Sequence, residues 1–100
     1  MGDRGRGRGR RLRPTQLAGK LKRIRESLNL NQTQMPKALG LEDDVSQGMV
    51  SAFESGVREP SLIVLLAYGR LAGISTDVLI DDNLGLPSNF KIIKKPEQST

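Results

Sequence analysis

The stretch SQGMVSAFESGVREP at residues 46–60 decides the fold. Ser46 is a strong N-cap residue, because its side-chain oxygen can take one of the unpaired amides at a helix start. Gly56 supplies the left-handed residue that commonly ends a helix. Between them Val50 and Phe53 stand three apart, with Met49 beside them. The spacing therefore predicts a short helix over residues 46–55 with one apolar face. Val50 and Phe53 turn inward, which leaves Gln47, Gly48, Ser51 and Ala52 for the outer face.

Downstream, Pro60 and Ser61 open a fourth helix, in which Leu62, Leu65, Leu66 and Leu71 are expected on one face before Gly73 stops it. Ser75, with Asp77 in the first turn, is expected to cap a short fifth helix holding Val78, Leu79 and Ile80. Upstream, Leu17, Leu21, Ile24 and Leu28 recur at helical intervals and predict a first helix from about Thr15. A second helix is expected from an Asn31 cap through Gln32–Leu39 to Gly40, whose backbone freedom suits the exit. Pro36 falls inside it, where a proline removes one ladder hydrogen bond and clashes with the carbonyl four residues back. The second helix should therefore be distorted or shortened. No strand pattern competes, so the fold class is all-α.

Composition narrows the chemistry. The 100 residues contain no Cys and no His, which excludes disulfides, thiolate and imidazole metal sites, and the usual nucleophile and base pairs. No catalytic set, metal or cofactor is expected, and the protein reads as no enzyme. The basic start lacks a following apolar run, and no segment approaches the roughly 20 apolar residues of a membrane span. A cytoplasmic, nucleoid-associated protein without membrane contact is expected.

The net charge of +5 hides an asymmetry: residues 1–25 carry ten Arg/Lys against Asp3 alone, while residues 26–100 carry six Lys/Arg against ten acids. A polyanion would be held mainly from one end. Residues 1–13 alternate Arg and Gly with little to bury, so they read as a disordered arm. From Asn83 onward, a tail with Pro87 and Pro96 holds one apolar cluster, Phe90, Ile92 and Ile93. It reads as a linker or a segment that docks on a partner.

Four blocks in order, LKRIRESLNLNQTQM (21–35), Leu39-Gly40, VSAFESGVREPSL (50–62) and LLAYGRLAGISTDVLI (65–80), resemble the Cro and lambda-repressor type, or XRE-like, helix-turn-helix family. The resemblance spans about sixty residues and implies a five-helix lambda-repressor-like DNA-binding domain over residues 14–82, between the basic arm (1–13) and the tail (83–100). It implies that helix 46–55 reads DNA. Two departures stand out: Pro36, where the family commonly has Ala, and a turn before Ser46 that is longer and carries Glu42, Asp43 and Asp44. These acids could favour the start of the next helix through its dipole, yet they repel phosphate.

In that frame Gln47 can pair bidentately with adenine N6 and N7 in the major groove. Ser51 can donate or accept at a base edge, the Ala52 methyl can touch a thymine methyl, and Gly48 permits close backbone approach. The plain alternative is that Gln47 and Ser51 only face water. Gln32, with Thr33, sits where free amides and a helix dipole favour a phosphate, and Ser46 is placed likewise. Arg58 resembles a phosphate-contacting loop position, though a solvated arginine is the alternative. Arg4, Arg6, Arg8, Arg10, Arg11 and Arg13 can reach phosphates or a narrow minor groove; otherwise they form a solubility tail.

The function expected is a sequence-specific transcriptional regulator, a repressor for instance, that binds double-stranded DNA at a pseudo-palindromic operator as a homodimer. The fifth helix or the tail near Phe90 would carry the dimer contact. Two alternatives stand beside it: a DNA-binding antitoxin whose C-terminal tail holds a protein partner, and an RNA-binding or protein-interaction module using the Arg/Gly arm. RNA modules usually add stacking aromatics, and the arm has none.

Overall fold

A computed structural model describes residues 12–87, which form five helices and no strand. They are α1 (Leu17–Ser27), α2 (Met35–Ala38), α3 (Gln47–Ser55), α4 (Leu62–Ala72) and α5 (Thr76–Ile80). None is long and apolar enough to cross a membrane.

α3 forms within the expected bounds. The Ser46 hydroxyl accepts from the Met49 amide at 3.1 Å, and Gly56 leaves the helix at φ +79°. An L side chain there would crowd the following carbonyl. No acid lies in the first turn of α3, so Glu42, Asp43 and Asp44 form the turn before it rather than its first residues. That turn is closed by Leu41 and Val45: the Leu41 amide donates to Pro36 O, and the Val45 amide donates to Leu41 O.

α2 is cut to four residues, with Pro36 in its opening turn. Asn31 does not cap α2, whose N-cap position falls to Gln34, but caps the turn before it: its side chain accepts from the Gln34 amide, and the Gln34 side chain accepts from the Asn31 amide in return. Pro36 has no N–H to give to the Gln32 carbonyl, so the turn over 32–34 does not continue as regular helix, and the ladder restarts at Met35. Gly40 leaves it at φ +75°.

α1 starts at Leu17 rather than Thr15, with Gln16 at the N-cap position making no side-chain cap bond. Capping comes from the far end of the domain: the Asp82 carboxylate accepts from the amides of Thr15 and Gln16 at 3.0–3.1 Å and from the Thr15 hydroxyl at 2.9 Å. These bonds hold the Asp82 carboxyl below its ordinary range.

The core gathers Leu17, Leu21 and Ile24 from α1, Met35 and Leu39 around α2, Val50 and Phe53 from α3, and Val64, Leu65, Tyr68 and Ala72 from α4, closed by Val45 and Leu79. The expected face of α4 needs correction. Val64, Leu65, Tyr68, Gly69 and Ala72 are buried, whereas Leu62 is 81% exposed and Leu66 39%. Residues 62–67 are apolar without a break, so hydropathy carries no period there, and packing selects the 65, 68, 69, 72 stripe instead. Gly69 is fixed by contact, since a Cβ on it would stand 2.8 Å from the Ile74 carbonyl oxygen where the chain turns into α5. Ser75 occupies the N-cap of α5 by position only; its side chain makes no capping bond.

Candidate nucleic-acid interface

The outer face of α3 begins with Gln47 and Gly48, both exposed; Ser51 and Ala52, one turn on, are half-buried. Gly48 has open space around it, with the Ser46 hydroxyl 3.8 Å from where a Cβ would sit. Ser46 spends its oxygen on the Met49 amide, which leaves its O–H proton to donate.

Gln47 is held in place. Its Nε2 donates to Gln32 Oε1 at 3.1 Å, and Gln32 Nε2 donates in turn to Glu54 Oε1 at 3.1 Å. Glu54 is the anchor: Arg25 Nε donates to Oε2 at 2.7 Å and Arg25 Nη2 to Oε1 at 3.0 Å, while Arg25 Nη1 donates to the Leu30 carbonyl at 2.9 Å. The Glu54 side chain is only 3% exposed and that of Arg25 12%. The Glu54 hydrogen bond, working against partial burial, raises the Arg25 guanidinium above its ordinary value. The network runs from inside the domain to a surface amide, so it can fix both side-chain amides before a ligand arrives.

Thr33 is exposed beside Gln32 in the turn before α2. At the other end of α3, Arg13 Nη2 donates to the Gly56 carbonyl at 3.1 Å. A cation at a helix C-terminus also meets the negative end of the dipole. Arg13 and exposed Arg58 line one recess of about 280 Å³ with Pro14, Phe53 and Pro60. The arm thus joins the domain beside the loop that follows α3. Arg4, Arg6, Arg8, Arg10 and Arg11 lie outside the described residues, as does Phe90.

Four residues that hold the domain and its candidate site together escape the sequence reading. Lys20 and Arg25 count there as bases for a polyanion, but both are engaged internally. Lys20 is 6% exposed, and its Nζ donates to the carbonyls of Val78 at 2.6 Å and Asp81 at 3.0 Å. It thereby closes the C-terminus of α5. Glu54 and Asp82 are the other two. Lys20 sits on the stripe of Leu17, Leu21 and Ile24, and Glu54 stands seven residues after Gln47 on the same side of α3; this helical spacing is the signal that could find them.

Among the described residues, the buried Tyr68 hydroxyl has no hydrogen-bond partner. Burial, and then nearby Glu54, push its ionisation above the ordinary range.

A helix-turn-helix family model of the Cro and lambda-repressor type matches residues 21–79, more than half of the chain. No curated protein and no solved structure matches it.

Proposed function

We propose, for a chain that belongs to the Cro and lambda-repressor type helix-turn-helix family of DNA-binding, non-enzymatic transcriptional regulators, that α3 enters the major groove and chooses the operator while the arginine arm supplies much of the affinity. The observation that carries this reading is the pre-set pair Gln32–Gln47. Gln47 presents an amide at the start of the reading helix, where it can pair with an adenine edge, and Gln32 keeps hydrogen-bonding capacity for a phosphate. Gly48, Ser51 and Ala52 complete the base-facing set; Thr33, Ser46 and Arg58 join Gln32 on the backbone.

The folded unit is taken as residues 14–82, with arm 1–13 and tail 83–100; the Thr15–Asp82 bonds support these limits. Residues 14–85 contain seven Lys/Arg and nine Asp/Glu, and the internal engagement of Lys20 and Arg25 reduces further what they can offer a phosphate. Arg4 to Arg13 supply the remaining attraction, on phosphates or in the minor groove. Because one reading helix contacts few base pairs, the protein acts as a homodimer on a pseudo-palindrome with half-sites about 34 Å apart, in the cytoplasm at the nucleoid.

Selection of bound sequences from a random duplex pool tests this, using the full chain and a chain lacking residues 1–13. A dyad-symmetric motif is expected from both. The shorter chain should bind more weakly, and its salt dependence should be flatter by about 0.9 for each phosphate that the arm no longer neutralises. Equal binding to all duplexes would overturn the reading, and an unchanged salt slope would overturn the role of the arm.

A further inference from the structure

We infer that residues 90–95 of one copy, Phe-Lys-Ile-Ile-Lys-Lys, seat in an apolar groove on α4 of a second copy, so that two exchanged tails close the dimer. The inference rests on the homodimer proposed above and names its contact.

The groove is a property of the described domain. The outer side of α4 exposes Leu62, Ile63 and Leu66, Ile63 by 64%. Beside these lies an open groove of about 390 Å³ lined by Leu39, Leu41, Ile63, Leu66, Ala67 and Leu71. Contiguous exposed apolar surface of this kind marks a contact site, where scattered single residues do not. Leu41, which lines the groove, is followed directly in the chain by Glu42, Asp43 and Asp44, all exposed. Arg70 is the single base among the lining residues.

The occupant follows from what the rest of the chain offers. Residues 1–11 are Arg and Gly with Met1 and Asp3, and can fill little apolar space. Residues 88–100 hold Phe90, Ile92 and Ile93 together with Lys91, Lys94 and Lys95, and Glu97 as the only acid. Three large apolar side chains thus come with three bases, to meet an apolar groove whose lining residue Leu41 is followed by three exposed acids. Opposite charge at a rim selects the partner and its orientation more than it adds affinity.

Chain length favours exchange over folding back. Leu86 packs against the core, and residues 85–86 share a recess with Thr15, Gln16, Gly19 and Arg23 on the α1 side. The groove is lined from α2, the turn after it and α4, with no residue of α1. Phe90 is three residue steps beyond Pro87, a reach of at most roughly 10 Å. A helix with its side chains is about 10 Å across, so the tail would spend that reach passing one helix. Between two copies related by a two-fold axis, each tail meets the other's groove and the interface closes on itself.

The test is sedimentation equilibrium of the full chain over a concentration series, with binding to a selected operator followed alongside. Ile63→Glu in the groove and Ile92→Asp in the tail should each weaken the dimer by about tenfold or more, as expected when one buried aliphatic side chain is removed from an interface. Helix content by circular dichroism should stay unchanged, because Ile63 is largely exposed. Mixing the two variants should recover part of the dimer, since the intact tail of one meets the intact groove of the other; folding back within one chain would give no recovery and would overturn exchange. Reversing Lys91, Lys94 and Lys95 to Glu should weaken the dimer, and reversing Glu42, Asp43 and Asp44 to Lys in the same chain should restore it; no restoration would overturn the charge pairing. A dimer indifferent to both single variants would overturn this contact and leave the homodimer standing. A protein that is monomeric in solution and on DNA would overturn both.

Discussion

Glu54→Ala is expected to remove a large share of the domain's stability and, separately, its ability to choose DNA. The Glu54 carboxylate is 97% out of solvent by side-chain area and takes two guanidinium bonds from Arg25 and one amide bond from Gln32. Removing one partner of a buried pair costs about 3–5 kcal/mol, mostly because the remaining charge is left unpaired. Arg25 keeps its bond to Leu30 O and lies near enough to the surface to regain some water, which puts the loss near the lower end, about 3 kcal/mol. At roughly 0.05–0.15 kcal/mol per residue, a folded unit of this size holds about 4–10 kcal/mol in all. Urea unfolding should therefore show a much lower midpoint with an unchanged slope. The double variant Arg25→Met with Glu54→Leu, which replaces the pair by apolar side chains, should regain most of that stability. It should not regain operator choice, because Gln32 and behind it Gln47 have lost their anchor. A loss below about 1 kcal/mol in Glu54→Ala, or a double variant with full operator selectivity, would refute the reasoning.

Three further outcomes can be checked directly. Tyr68→Phe removes a buried hydroxyl that has no partner, so thermal unfolding should show it neutral or more stable, by up to about 1 kcal/mol. Asp82 titrates below the ordinary carboxylate range in the folded state, so its contribution is present above the unfolded value near about pH 4 and is lost as pH falls through the depressed one. Asp82→Asn should accordingly be less stable at neutral pH and should flatten the acid limb of a stability profile; an identical limb would count against the cap on α1. Gln47→Ala should cost about 1–3 kcal/mol of discrimination at a single base pair and leave the salt slope unchanged, as measured by fluorescence anisotropy on matched and mismatched duplexes.

What could be read from the chain was local. The cap at Ser46, the exit at Gly56, the stripe through Leu17, Leu21 and Ile24, and the shortening of α2 by Pro36 all depend on residues within a turn or two of each other. What could not be read depends on partners far apart in sequence: Arg25 and Glu54 are 29 residues apart, and Thr15 and Asp82 are 67 apart. A pattern of residue types names a base or an acid but not the carbonyl or amide it meets, so Lys20 and Arg25 looked like surface charge. The face of α4 failed for a different reason, since an unbroken apolar run has no phase. At the candidate interface, the sequence named Gln47 and Gln32 separately. Only the fold brings them within 3.1 Å of each other and ties them to Glu54.

The Asp82 clasp on Thr15 and Gln16 also makes the domain almost a ring. The carboxylate lies 3.0 Å from the Thr15 amide, so residues 15 and 82 are neighbours in space, and a peptide bridge of about three residues would span them. Joining the ends of 14–83 head to tail would put into covalent form a closure that the native chain makes with hydrogen bonds. It would remove conformational freedom from the unfolded chain alone, by the loop-closure entropy of some 70 residues. The circular domain, stripped of arm and tail, would isolate what the reading helix recognises by itself.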